Sequence, residues 1–424
     1  MRELLYLEAG ILFDGTGTEP VQSAAMLIEQ GRVACVGPVG TVPVPPEAAI
    51  IDAKNYCVIP GLIDVHVHIH SPGGATADYA LVQLIKSQGV LALESYSHAL
   101  KDLAMGFTAL RSLGSPAYVD VAVRDVIRSG SLVGPRLQAA GQGITITGGH
   151  MDKAWWVWDL PVPGRTGVAD GPWEARQAAR AQIKWGANVI KINVCVGEYG
   201  SRQKPWKQEM TYEEIAAVCK EAHRAGLRVA GHTAGGPGIT DAIKAGVDSI
   251  EHGHWLTDEQ IELMVEQGTI YVPTLLVNTR SVELGPDQRG LSRKAWDWLK
   301  RVYEEKWDTL ERAKRAGVKI AVGTDAGFVV EHGENAGELA ELVKGGFSPE
   351  EALVAATKTG AECLGLEEEI GTLEPGKKAD FVIVDGNPLQ DIKILSAPDR
   401  ILAVYMEGKL VASKGEIIGF GKGG

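Results

Sequence analysis

No run of about 18 apolar residues occurs anywhere along the 424 positions, which argues against a membrane-spanning helix. A basic stripe is also missing. The chain carries 42 basic and 54 acidic side chains, a formal net charge of −12, so nucleic acid is not an expected partner. Cysteine is scarce: five residues, at 35, 57, 195, 219 and 363, none in a CxxC pair. An odd number of scattered thiols suits a reducing compartment better than a disulfide framework, and a cytoplasmic location is expected. The opening MRELLYLEAGILFDG mixes its charges with strand-like alternation and lacks the basic, apolar, small-residue order of a signal peptide. Low-complexity tracts and internal repeats are absent too.

What remains is an ordinary folded composition, 45% hydrophobic and 23% charged. The middle of the chain alternates short apolar runs with helical segments. Eight runs stand out: LIDVHV 62–67, TALRSL 108–113, RLQAAG 136–141, VIKINV 189–194, RVAGHT 228–233, SIEHG 249–253, IYVPTLL 270–276 and KIAVGTDAG 319–327. Several are continuously apolar, as parallel strands covered on both faces are. Helix starts are written between them as capping boxes: Thr211 with Glu214, Thr257 with Gln260, and Ser348 with Glu351 after Pro349. Gly226 and Gly268 close the first two of these helices. Alternation of this kind predicts an α/β fold, and eight repeats over about 300 residues fit a (β/α)8 TIM barrel. The ends read differently. Residues 1–58 and 369–424 hold strand-like pieces separated by DG, QG, EG and KG turns. Neither end has enough strands to bury a face, so a small β-sandwich built from both termini is expected around a barrel over 59–368.

In such a barrel, chemistry sits at the C-terminal ends of the strands. His66 and His68 end the first run, His232 the fifth, His252 the sixth and Asp325 the eighth; Lys191 lies within the fourth. Side chains at i and i+2 share a strand face, so His66 and His68 can offer two imidazole nitrogens to one ion. Alone, HxH is a weak signal; joined by metal-compatible residues at matching strand ends it becomes a strong one. Lys191 sits in NVIKINV, where an unpaired ammonium is expensive. Either it forms a buried salt bridge, or its amine reacts with carbon dioxide. The resulting carbamate is anionic, has two oxygens and can bridge two divalent ions; burial favours the neutral amine that the reaction needs.

His150, in GITITGGHMD after the third run, is a candidate substrate contact, with a rim position as the alternative. His332, just after Asp325, is a second candidate, or else a helix-start residue. His254 is expected at the surface or behind the ligands, His70 at the rim, and His98 and His223 in structural or exposed places. The tryptophan-rich loop MDKAWWVWDLPVPG, 151–164, reads as a hydrophobic cluster or subunit contact, or as a wall for a bulky acyl group. Arg202, Lys204 and Lys207 in the 197–210 loop could meet a carboxylate, although exposed loop charge is common.

PGLIDVHVH, VIKI, AGHT, IEHG and VGTDAG, in this order, resemble the amidohydrolase superfamily over essentially the whole chain. VPT at 272–274, HGENAGELAELV at 332–343 and SPEEALVAAT at 348–357 are similar to its prolidase-like branch, which cleaves Xaa-Pro or Xaa-Arg/Lys dipeptides and N-acyl amino acids. The resemblance implies a site for two divalent metal ions, usually Zn2+. His66, His68 and Asp325 would hold the first ion, His232 and His252 the second, and carboxylated Lys191 with a hydroxide would bridge them. Attack of that hydroxide on an amide follows, with Asp325 moving the proton to the leaving amine. Where the branch pattern puts a tyrosine for the substrate carboxylate, this chain has Asn278, and the loop after Lys191 lacks a Ser-Gly-Gly turn. Both departures point specificity towards another amide. The expected partners are a small-molecule amide or dipeptide and further copies of the chain, without membrane. The alternatives are a cyclic-amide hydrolase of imidazolonepropionase or hydantoinase type, a mononuclear deaminase, against which Lys191 argues, and a non-catalytic relative.

Overall fold

A computed structural model describes residues 4–74, 85–152, 167–196, 207–289 and 291–418. Its strands are β1 Leu4–Leu12, β2 Val21–Glu29, β3 Arg32–Pro38, β4 Ala49–Pro60, β5 Leu62–Val67, β6 Phe107–Ser112, β7 Arg136–Ala139, β8 Ile144–Thr145, β9 Gly167–Val168, β10 Ile190–Asn193, β11 Val229–Gly235, β12 Ser249–Trp255, β13 Ile270–Val272, β14 Phe381–Val384, β15 Ile401–Met406, β16 Lys409–Ser413 and β17 Glu416–Ile417. The helices are α1 Gln88–Ala104, α2 Val119–Arg128, α3 Gly171–Lys184, α4 Tyr212–Arg224, α5 Gly238–Ala245, α6 Asp258–Gln267, α7 Leu275–Arg289, α8 Arg293–Ala316, α9 Gly337–Lys344, α10 Pro349–Ala355 and α11 Lys358–Leu364.

The parallel strands form the (β/α)8 barrel. β5, β6 and β7 pair in one set; β13, β12, β11, β10, β8 and the short β9 pair in another, β7 and β8 following one another as the third barrel strand. The two sets meet through the extended segment 319–326. Tyr271 N donates to Lys319 O (2.8 Å) and Ala321 N to Tyr271 O (3.0 Å), and on the other side Val65 N donates to Val322 O (2.9 Å). Asp325 N donates to His66 O (2.8 Å) and His68 N to Ala326 O (2.7 Å), so the eighth run lies directly against the first. Strands buried on both faces need apolar residues throughout, and β5, β6 and β10 are buried at every position. All three capping boxes are formed, at Thr211, Thr257 and Ser348.

Both ends of the chain build one eight-stranded sheet in the order β17-β16-β15-β14-β4-β1-β2-β3. The join is the antiparallel β4–β14 pair, with Pro60 opposite Phe381 and Cys57 opposite Val384. Leu7, Leu12, Met26, Val58 and Phe381 fill its core. Residue 61 is all that separates β4 from β5, so the sheet is anchored directly to the strand that carries His66 and leads into His68. Among the described residues, no helix is long and apolar enough to cross a membrane.

Candidate active site

The alternation of β5 puts His66 and His68 on one face, and Asp325 comes to them from the adjacent eighth segment. His68 Nε2 lies 3.1 Å and His66 Nε2 3.5 Å from Asp325 Oδ1. The ligand-type atoms of these three residues all lie within 4.8 Å of one another, a grouping able to hold a metal ion. His252 follows from β12, its ring 5.0 Å from that of His66, and His232 from β11, 4.6 Å from His252. Lys191, on β10, is paired in register with Ala230, two residues before His232. Thus the side chains expected at the strand ends converge at one end of the barrel.

Their electrostatics match metal donors. Burial, with Lys191 nearby, lowers His66 to about 4, and burial with neighbouring imidazoles carries His232 and His252 well below the usual histidine value. These rings are therefore neutral at pH 7, with a lone pair to give. Burial also lowers Lys191 to about 8, against the opposing pull of Glu251 and Asp325. Burial opposes ionisation of Asp325, but His68 and His66 outweigh it and hold the carboxylate below its ordinary value. His66 Nε2, His232 Nε2, Lys191 Nζ and Asp325 Oδ1 are all buried without a hydrogen-bond partner. Each such atom costs about 1–3 kcal/mol if left unsatisfied. Four of them in one cluster, on neutral imidazoles, an amine and a carboxylate, fit a divalent cation.

The groups behind these side chains are strongly held. Glu251, wholly buried beside His252, accepts from His66 Nδ1 (2.7 Å), Arg111 Nη2 (2.8 Å) and Ser249 Oγ (2.6 Å). Burial alone would raise Glu251; Arg111 and His66 bring it down to about 2. The bond to Nδ1 fixes the His66 tautomer and turns Nε2 towards the cluster. His252 Nδ1 is held by Thr274 Oγ1 at 2.8 Å. Asp64 gathers His66 N (3.0 Å), Thr324 Oγ1 (2.6 Å) and Asn335 Nδ2 (2.8 Å), tying β5 to the eighth segment. Three strand-end residues, His252 (φ 68°), Thr274 (φ 48°) and Asp325 (φ 58°), take left-handed backbone, which non-glycine residues adopt mainly where the surroundings force it. Glu251 and Arg111 escaped the sequence reading. The signal was the one that singled out Lys191: a charge inside an apolar strand run, in SIEHG and TALRSL.

Other expectations fare variously. The His150 ring stacks on His232 at 4.2 Å and 11°, beside the cluster. His332 needs correction as a substrate contact. It is buried with both ring nitrogens committed, Nδ1 to Asp102 Oδ2 (2.8 Å) and Nε2 to Ser71 O (3.0 Å) and His68 O (3.4 Å). Asn278 is buried in α7, and its amide nitrogen donates to Thr274 O at 3.3 Å. His254 is buried rather than at the surface, near Trp298 (6.1 Å between rings), and burial lowers it to about 3. His70 is also buried, not on the rim, its ring 5.8 Å from His68. His98 is structural, bonded to Ile69 O (2.8 Å), and His223 pairs with Asp248 (2.9 Å). Lys207 is exposed; Arg202, Lys204 and the three tryptophans of the 151–164 loop lie outside the described residues.

A (β/α)8 barrel with histidines and an aspartate clustered at one end defines a class of barrel hydrolases. The amidohydrolase family matches residues 57–411, and the chain belongs to that family, in its prolidase-like branch. It is a hydrolase of carbon–nitrogen amide bonds. The chain is 32% identical to ochratoxinase of Aspergillus niger over 96% of this chain and 86% of that one. It is 26% identical to imidazolonepropionase of Salinispora arenicola over 88% of each. A solved Xaa-Pro dipeptidase with methionine bound in its active site superposes with a TM-score of 0.89 at 34% identity, over 97% of this chain and 100% of the other.

Proposed function

We propose that this protein is a binuclear metal-dependent amidohydrolase that releases an amino acid from an amide, either a dipeptide such as Xaa-Pro or Xaa-Arg/Lys or an N-acyl amino acid. The observation that carries the reading is the set of buried, unpartnered atoms on His66, His232, Lys191 and Asp325 beside His68 and His252. In this reading His66, His68 and Asp325 would hold one ion and His232 and His252 the other. The Lys191 amine, lowered to about 8 by burial, adds to carbon dioxide. A C–N bond forms and one proton leaves to solvent; the anionic carbamate would then serve as an oxygen donor to the ions. Bound there, two divalent zinc ions would lower the pKa of a shared water and polarise the scissile carbonyl. Asp325 would accept a proton at its carboxylate and pass it to the departing amine nitrogen. His150, which stacks on His232, would be a substrate contact in this reading.

The test is a screen of Xaa-Pro and Xaa-Arg dipeptides and N-acyl amino acids with zinc-loaded protein, scoring release of the free amino acid. Release from one of these classes is expected; none from any would contradict the reading. A second reading is opening of a cyclic amide, favoured by the likeness to imidazolonepropionase. It predicts turnover of a hydantoin or imidazolone ring with no free amino acid produced from the linear substrates.

A further inference from the structure

The turn that follows β5 begins at His68, and three of its carbonyl oxygens are held by imidazoles from elsewhere in the chain. His332 Nε2 faces Ser71 O at 3.0 Å and His68 O at 3.4 Å. His98, from α1, has Nδ1 at 2.8 Å from Ile69 O. The two rings stack, with centroids 5.0 Å apart and planes 4° from parallel. Behind them Asp102, also from α1, accepts from His332 Nδ1 (2.8 Å) through one oxygen and from Gly333 N (2.8 Å) through the other. The hydrogen-bond partners of both His332 ring nitrogens are oxygens, so both nitrogens act as donors. The side chains of His332 and Asp102 have no exposure at all, which leaves them no solvent-facing role.

The eighth segment presses on the same turn. His68 N donates to Ala326 O (2.7 Å). Gly327 approaches so closely that a β-carbon there would stand 2.3 Å from His68 O. The backbone at His68 is therefore held both by the segment carrying Asp325 and by the His332 ring. Asp102 and His332 are 230 positions apart, so their bond ties α1 to the loop after the eighth segment.

We propose that His332, supported by Asp102 and stacked on His98, is a positioning residue that fixes the 68–71 turn and through it sets His68 against Asp325 for metal binding. The inference rests on the metal-site reading above and extends it to a pair of residues that touch neither ion nor substrate. Groups that orient ligands from behind set metal affinity by about 10- to 100-fold.

The test is a zinc titration of the full-length protein against a chromogenic chelator, with melting temperature recorded for each variant. His332→Phe keeps the ring and the stack on His98 but removes both donors. It is expected to weaken one zinc ion by about 10- to 100-fold and leave the other near its wild-type affinity. Asp102→Asn can present its amide NH2 to an unprotonated Nδ1 while Nε2–H still faces the turn. It is expected to keep near-wild-type affinity for both ions. Unchanged affinity in a folded His332→Phe protein would overturn the inference while sparing the metal site. So would an equal loss in both variants that follows melting temperature alone. A wild-type protein that binds no zinc would overturn this inference and the reading beneath it together.

Discussion

Asp325 is placed by two demands that few residues satisfy together: its backbone bends into the left-handed region at the end of the eighth segment, and its carboxylate meets His66 and His68. Asp325→Asn should keep metal through the remaining donors yet lower kcat by about 10²- to 10⁴-fold, the range for loss of a general acid–base group. Near-normal turnover at full metal content would remove it as the proton carrier. Glu251 acts from behind. Glu251→Leu would leave the Arg111 guanidinium without its carboxylate in a site with no exposure and free the His66 ring. Stability should fall by about 3–5 kcal/mol in denaturant titration, with weakened zinc binding; a variant of wild-type stability would contradict that account. The clustered side chains themselves were legible because histidines at strand ends and a lysine in an apolar strand are conspicuous. His332 was misjudged because its neighbour Asp102 is 230 positions away, and no local pattern marks a buried partner at that range.

At the level of elements, the capping boxes were readable because both halves of each lie within four residues. Packing between strands was not, and glycines show where it is tightest. A β-carbon on Gly323 would stand 2.4 Å from Val272 Cγ1 and 2.7 Å from His66 Cβ. Gly323→Ala should therefore push the eighth segment off β5, costing about 1–3 kcal/mol in thermal or chemical unfolding and weakening metal binding as Asp325 moves from the histidines. Unchanged stability and affinity would mean the two segments slide freely. The loop after β8 is held differently. Glu209 accepts from His150 N (2.6 Å) and Thr145 Oγ1 (3.3 Å), and burial, the leading cause, raises its carboxyl to about 7. Its folded pKa thus lies above the unfolded value near 4.5, so the protonated form is favoured on folding. That contribution is complete below about 4.5 and is lost as pH rises to about 7. The stability of wild type relative to Glu209→Gln should fall across this window. A difference that is flat with pH in denaturant titrations would contradict the assignment.

The whole molecule is a barrel whose first strand is continuous with a sheet made from both ends of the chain. Contributions from both termini were legible as strand-and-turn composition too short to bury a face at either end; the strand order was not, since β4 pairs with β14 more than 300 positions later. Arg136, at the start of β7, ties the barrel to this sheet through Asp380 and through Glu407 (2.6 Å). Arg136→Met leaves the buried Asp380 carboxylate short of its partner and should lower stability by about 1–3 kcal/mol without altering zinc affinity. The central claim is that six side chains from β5 and the residue just after it, β10, β11, β12 and the eighth segment share a pair of cations. Anomalous diffraction at the zinc edge, on crystals grown with zinc and bicarbonate, tests it most directly. The account predicts two peaks about 3.5–4 Å apart, one beside His66, His68 and Asp325 and one beside His232 and His252, with added density on Lys191 Nζ reaching both. No peak among these residues, or zinc bound elsewhere with the cluster bare, would contradict it.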